Sequence, residues 1–166
     1  MKNILIIGCG LLGSSLLRRI SKKKMAKRIF VYEKTKSNIS KIKKLKLPGI
    51  ITNSLKTGVV NSDLIIFCTP MSEYKELILK INRFILPKTL ITDIGSSKID
   101  SSQIIKKFLK KDVQWIQGHP ITGSEVSGPE HGKDNMFEDK WCVLIKDKKT
   151  NLRRLKFLNA FWKKVG

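Results

Sequence analysis

Both histidines of the chain, His119 and His131, fall inside the stretch GHPITGSEVSGPEHG, residues 118 to 132. Glycine, proline and short polar residues surround them, with neither a helical nor a strand period. An imidazole is the side chain best suited to exchange a proton near neutral pH. Of the two, His119 closes the apolar run VQWIQG, and a histidine at a strand end beside a ligand cleft is an acid/base candidate. His131 lies deeper in the loop and is assigned no role. A second chemical signal is GCGLLG, residues 8 to 13, which fits G-x-G-x-x-G directly after a first strand and at the opening of a first helix. There the pattern has a mechanism: Gly8 permits the tight turn, Gly10 admits a pyrophosphate to the backbone, and Gly13 lets helix and strand pack closely. The N–H groups of Leu11 and Leu12 would face the phosphates from the helix N-terminus. Glu33, twenty residues after Gly13 at the end of the second strand, suits the ribose hydroxyls and repels a 2′-phosphate. NAD is therefore expected over NADP. Lys34 and Lys36 weigh against that expectation, since either could pair with a 2′-phosphate.

These groups need a frame, and the chain alternates apolar strands with amphipathic helices. NILIIG, RIFVYEK, a brief strand near Ile50 and Ile51, DLIIFCTP, TLITDIGSS, VQWIQG and KWCVLIKD read as strands. LLGSSLLRRISKK, SNISKIKKLK, SEYKELILKINRF, SSQIIKKFLKK and NLRRLKFLNAFWKKVG read as helices. Ser72 is a cap candidate for the third of these, and a serine or asparagine for the second. Continuously apolar strands separated by helices predict an α/β, Rossmann-type, doubly wound and mostly parallel sheet. Ligands of such sheets sit at the carboxyl ends of the strands. Thr69 and Pro70, Gly95 to Lys98, and Gly118 to Pro120 all fall at such ends. The last helix carries Leu155, Leu158, Phe161 and Trp162 on one stripe. A further strand should follow it, so the sheet is expected to stop before its last strand and to leave some of that apolar surface without a partner.

Composition limits the function classes. The 166 residues suffice for one domain and are 41% apolar, and no apolar run reaches the roughly 20 residues of a membrane span. Cys9, Cys68 and Cys142 are far apart and suggest neither a zinc site nor a disulfide framework, so no metal is expected and the cytoplasm is the default. The net charge is +21. Nucleic-acid readers interleave arginine with aromatics, whereas here lysines are scattered over many segments. Coding bias toward lysine and isoleucine accounts for that better than a specific nucleic-acid partner.

Together these motifs resemble a family. GHPITGSEVSG is similar to the GHPIxGxExSG signature of prephenate and arogenate dehydrogenases. GCGLLGSS, the CTP of residues 68 to 70, TDIGSSK at 92 to 98 and MFEDKWCVLI at 136 to 145 extend the resemblance along the whole chain. The resemblance implies NAD(P)-dependent oxidative decarboxylation of prephenate to 4-hydroxyphenylpyruvate, or of arogenate to tyrosine. Hydride leaves C4 of the substrate ring, and loss of CO₂ makes the ring aromatic. It implies that His119 accepts a hydrogen bond from the 4-hydroxyl, that Ser96 orients histidine and hydroxyl, and that Glu125 is an acid near the site mouth. For Ser96 a plain helix-capping role is an equal reading of the residues alone, and for Glu125 a solvated loop carboxylate is the better one. The family further implies an all-helical second domain, absent from residues 1 to 166, that forms a homodimer and clamps the substrate carboxylates. Two rival readings stand beside this one: a different NAD-dependent hydroxyacid dehydrogenase, and a nucleotide-binding module without turnover.

Overall fold

The structure, a computed structural model, describes residues 2 to 166. Six strands form one parallel sheet: β1 (Ile4–Ile7), β2 (Ile29–Tyr32), β3 (Ile50–Thr52), β4 (Leu64–Phe67), β5 (Leu90–Asp93) and β6 (Gln114–Trp115). Their order is β3-β2-β1-β4-β5-β6. The chain winds outward from β1 in one direction, then returns to β4 and winds outward in the other. The reversal between β1 and β4 opens a crevice at the carboxyl edge, the usual ligand position of such sheets.

Successive strand residues enter opposite cores because Cβ atoms alternate across a sheet. Ile4, Ile6, Leu64 and Ile66 pack on one face with Leu16, Leu17 and Ile20 of α1 (Leu11–Lys22). Leu5, Ile7, Ile65 and Phe67 pack on the other with Leu77, Ile78 and Ile81 of α4 (Tyr74–Ile81). Burial on both faces explains why β1 and β4 are uninterrupted apolar runs.

Several details differ from expectation. VQWIQG is not one strand. β6 ends at Trp115, and Gln117–Pro120 forms β7, which pairs antiparallel with β8 (Cys142–Ile145) in a separate two-stranded sheet. Helix α3 (Leu55–Val60), capped by Ser54, was not foreseen; six residues are too few to display a helical repeat. Helices α2 (Lys36–Lys44) and α5 (Lys98–Phe108) start without a side-chain cap. Ser72 lies inside a 3₁₀ turn, Met71–Glu73, that precedes α4 rather than capping it.

The largest correction concerns α6 (Leu152–Val165). Its stripe is not left bare. Leu158, Phe161, Trp162 and Val165 are buried in the same core as α1, and Leu155 packs against it. α6 covers the α1 face of the sheet, so burying the stripe requires no additional strand. Exposed apolar side chains lie elsewhere, among them Ile99 and, on or beside the small sheet, Trp141, which is 82% exposed, with Ile121, Val143 and Ile145.

Candidate functional site

The glycine loop is built as its spacing implies. Gly8 has φ +89°, in the left-handed region, and a Cβ there would come within 2.7 Å of Thr69 Cγ2 and 2.9 Å of the Cys68 carbonyl oxygen. A Cβ on Gly13 would overlap the Gly8 carbonyl oxygen, so the first turn of α1 rests directly on the loop. At Gly10 a Cβ would meet nothing within 4 Å. Its glycine is thus not required by the protein's own packing, which fits a position kept clear for a ligand. Gly10 precedes Leu11 and Leu12 in the first turn of α1, whose N–H groups have no intrahelical partners.

A cleft of about 290 Å³ opens beside this loop, lined by Gly8, Gly10, Glu33, Lys34, Thr69, Pro70 and Glu73 among others. Glu33 is buried, and both of its carboxylate oxygens are held by backbone. Oε2 accepts from Cys9 N–H at 2.8 Å and Oε1 from Thr35 N–H at 2.9 Å. Each oxygen keeps lone-pair capacity for another donor. The Thr69 hydroxyl is buried without a hydrogen-bond partner among the described residues. Clear space at Gly10, a fixed carboxylate and an unsatisfied hydroxyl in one crevice fit a dinucleotide's phosphates and sugars.

The far end of the edge is organised by Asp93 at the end of β5. Its carboxylate is fully buried and accepts five hydrogen bonds. Oδ2 takes Lys98 Nζ at 2.6 Å, Tyr74 O–H at 3.2 Å and Gly95 N–H at 3.2 Å. Oδ1 takes Trp115 Nε1–H at 3.1 Å and Gly118 N–H at 3.3 Å. Lys98 Nζ also donates to the Gly118 carbonyl at 2.6 Å. Both polar groups of Gly118 are therefore bound by side chains of the Asp93–Lys98 pair rather than by a neighbouring strand. This is why the parallel sheet does not continue through this residue. Burial first and the Asp93 charge next push the Tyr74 hydroxyl's pKa upward.

His119 follows Gly118 and sits within β7, opposite Val143 of β8. It is therefore not at the end of a sixth parallel strand, although β7 packs beside β5. His119 is half-buried, and its Nδ1 is buried with no hydrogen-bond partner among the described residues. Ser96, expected to orient it, is exposed in the turn after β5 and makes no such bond among the described residues. That turn is directed by Asp93, which binds the backbone of Gly95 and leaves Ser96 facing outward. Glu125 is exposed in the loop after β7, without an ion pair among the described residues. The later half of the glycine-rich stretch serves packing: Arg18 Nη2 donates to the Pro129 carbonyl at 3.0 Å, and Glu130 pairs with Lys41. His131 is exposed there. Asp93 and Lys98 escaped the residue-by-residue reading, although both lie in the TDIGSSK motif. A buried charge pair is the signal that could have found them, and burial is not written in a motif.

Along the carboxyl edge the groups run in sheet order: Glu33 after β2, the glycine loop after β1, Thr69 after β4, and Asp93 with Gly118 and His119 at β5. Three strand intervals separate the ends, roughly 14 Å at about 4.8 Å each.

Residues 16–166 match the family model described as "Prephenate dehydrogenase, nucleotide-binding domain". The chain belongs to that family. The prephenate dehydrogenase of Lactococcus lactis is 34% identical over 164 residues, covering 96% of this chain and 45% of that protein. The cyclohexadienyl dehydrogenase of Zymomonas mobilis is 25% identical over 165 residues, covering 99% of this chain and 56% of that protein. Among solved structures, prephenate dehydrogenase from Aquifex aeolicus in complex with hydroxyphenyl propionate and NAD+ superposes with a TM-score of 0.89 at 30% identity. That match covers 100% of this chain and 58% of the other. The chain thus spans about half the length of the prephenate dehydrogenase relatives it matches. Membership supports the Rossmann-type fold and an NAD-type cofactor for this domain. No helix among the described residues is long and apolar enough to cross a membrane.

Proposed function

We propose that the chain is the cofactor-binding half of a cytoplasmic enzyme that oxidatively decarboxylates prephenate or arogenate with NAD. The observation that carries this reading is the order of groups along one edge: a carboxylate for a ribose, a glycine loop and helix N-terminus for a pyrophosphate, then His119. In that order Glu33, Gly8, Gly10, Leu11, Leu12, Gly13, Thr69 and Pro70 hold the cofactor, and His119 stands where the substrate meets it. Held by these residues, NAD would supply the hydride acceptor for oxidation of the substrate ring. His119 accepts the hydrogen bond of the ring hydroxyl and draws off its proton as the carbonyl forms, which a neutral imidazole can do near pH 7. Closure over a substrate would have to bring Ser96 to His119, and Glu125 to the mouth of the site. Catalytic contacts in a protein without its substrate are often long or absent. A helical second domain supplies the substrate carboxylate contacts and the homodimer.

The test uses a two-domain enzyme made by joining residues 1 to 166 to a related helical domain. His119→Asn should lower kcat by roughly 10²-fold or more, the scale of general acid–base assistance, while NAD affinity stays within error. Unchanged kcat would remove His119 from the chemistry. The second reading, a nucleotide-binding module without turnover, is favoured by the exposed Ser96 and the unpartnered His119 Nδ1. NAD binding with no turnover in the joined enzyme would establish it.

A further inference from the structure

Lys34 directly follows the acid that faces the ribose, and a lysine there is a ready partner for a 2′-phosphate. In this structure that lysine is already engaged. Its Nζ lies 2.6 Å from Oε2 of Glu73. Lys34 stands after β2 and Glu73 in the 3₁₀ turn after β4. These two strands flank β1 on opposite sides, so the ion pair reaches across the glycine-loop end of β1. Both residues line the same cleft as Glu33. The hydrogen bond to Glu73 holds the Lys34 ammonium above the usual lysine range. Glu73 is itself held in its turn, where its N–H donates to the Pro70 carbonyl at 3.0 Å. Lys36, the other candidate, is exposed on α2 and is not part of the cleft lining.

We propose that Glu73 is a cofactor-selectivity residue: by holding Lys34 across the cleft it denies a 2′-phosphate its cation and leaves Glu33 to select NAD. The inference rests on the cofactor reading above and adds to it the residue that neutralises a lysine otherwise suited to NADP. With Glu73 present, Glu33, Lys34 and Glu73 sum to a net negative mouth that repels a phosphate. Without it, Lys34 is free to turn to the added phosphate, and the sum is neutral.

The experiment is calorimetric titration of residues 1 to 166 with NAD+ and with NADP+, in the wild type, Glu73→Gln, Lys34→Met and the double variant. Glu73→Gln should improve NADP+ affinity relative to NAD+ by roughly fivefold, the upper range for a single exposed ion pair. In the Lys34→Met background the same substitution should produce no such gain. An unchanged ratio in Glu73→Gln would overturn the proposal. So would an equal gain with and without Lys34, because Glu73 would then act by its own charge alone. Absence of NAD+ binding by the folded wild-type chain would instead sink the cofactor reading, and the selectivity role with it.

Discussion

Gly10 and Gly13 show how two glycines of one motif do different work. A side chain at Gly13 would overlap the Gly8 carbonyl oxygen, whereas one at Gly10 meets open space. Gly13→Ala should cost about 3 kcal/mol or more in stability, the upper range for overpacking a tight contact, read as the shift of the urea midpoint. Gly10→Ala should leave that midpoint nearly unmoved and weaken NAD binding instead. Equal loss of stability in both would contradict the division of labour. Cys9, between Gly8 and Gly10, is buried, and burial first and the Glu33 charge second raise its thiol to about 12 from 9.0. A raised folded pKa means stability that is whole below pH 9 and lost as pH climbs toward 12, because the unfolded chain ionises first. Relative to Cys9→Ala, the wild type should therefore lose about 1.4 kcal/mol per pH unit across that window. Parallel curves for the two proteins between pH 9 and 11 would show that Cys9 ionises normally.

At the scale of elements, the decisive junction is β5 with the chain leaving β6. Asp93 is fully buried, and Lys98 is its one charged partner among the described residues. Removing one member of a buried pair is far costlier than the pair is worth, because the other charge stays buried. Lys98→Met should destabilise the chain by about 3 kcal/mol. It should also loosen β7, which chemical-shift changes at His119 would report while His131 stays put. With two histidines in the chain, the imidazole signals are simple to assign. A stability within 0.5 kcal/mol of wild type, about the scatter of neutral surface substitutions, would mean the four neutral donors suffice to hold Asp93. The junction also explains why β7 and β8 make a sheet of their own: the main-chain groups of Gly118 that would extend the ladder are taken by side chains.

For the whole molecule, α6 alters the expectation most. With its apolar stripe buried in the α1 core, the chain has a buried cluster on each face of the sheet and should fold and bind NAD without a partner domain. Turnover is another matter. Positioning a donor carbon against a nicotinamide can be worth about 7–11 kcal/mol, and a substrate bearing carboxylates needs fixed cations. Lys98, one residue's reach from His119, is committed to Asp93 and the Gly118 carbonyl. Following NADH absorbance with prephenate and with arogenate, we expect residues 1 to 166 to show rates far below the roughly 1 s⁻¹ at the low end for enzymes. Turnover at or above that rate would show that the clamp lies within these residues. The exposed Trp141, Val143, Ile145 and Ile121 put open apolar side chains on and beside the small sheet that carries His119.

Local and periodic features of this protein were legible from its sequence. The glycine spacing, the apolar strands buried on both faces, the acid after β2 and the GHPITGSEVSG signature each depend on residues close in the chain. Their physics, sterics at a turn or a two-residue period, acts within a few residues. Tertiary structure decided what depends on distant partners. Asp93 and Lys98 bind Gly118 from 25 and 20 positions away; Glu73 reaches Lys34 from 39 positions away; α6 finds α1 from the other end of the chain. VQWIQG split because its hydrogen-bonding groups had a choice of partner that only the assembled sheet presents. A backbone donor or a charged side chain takes its value from what surrounds it when water is excluded, and that environment exists only after folding.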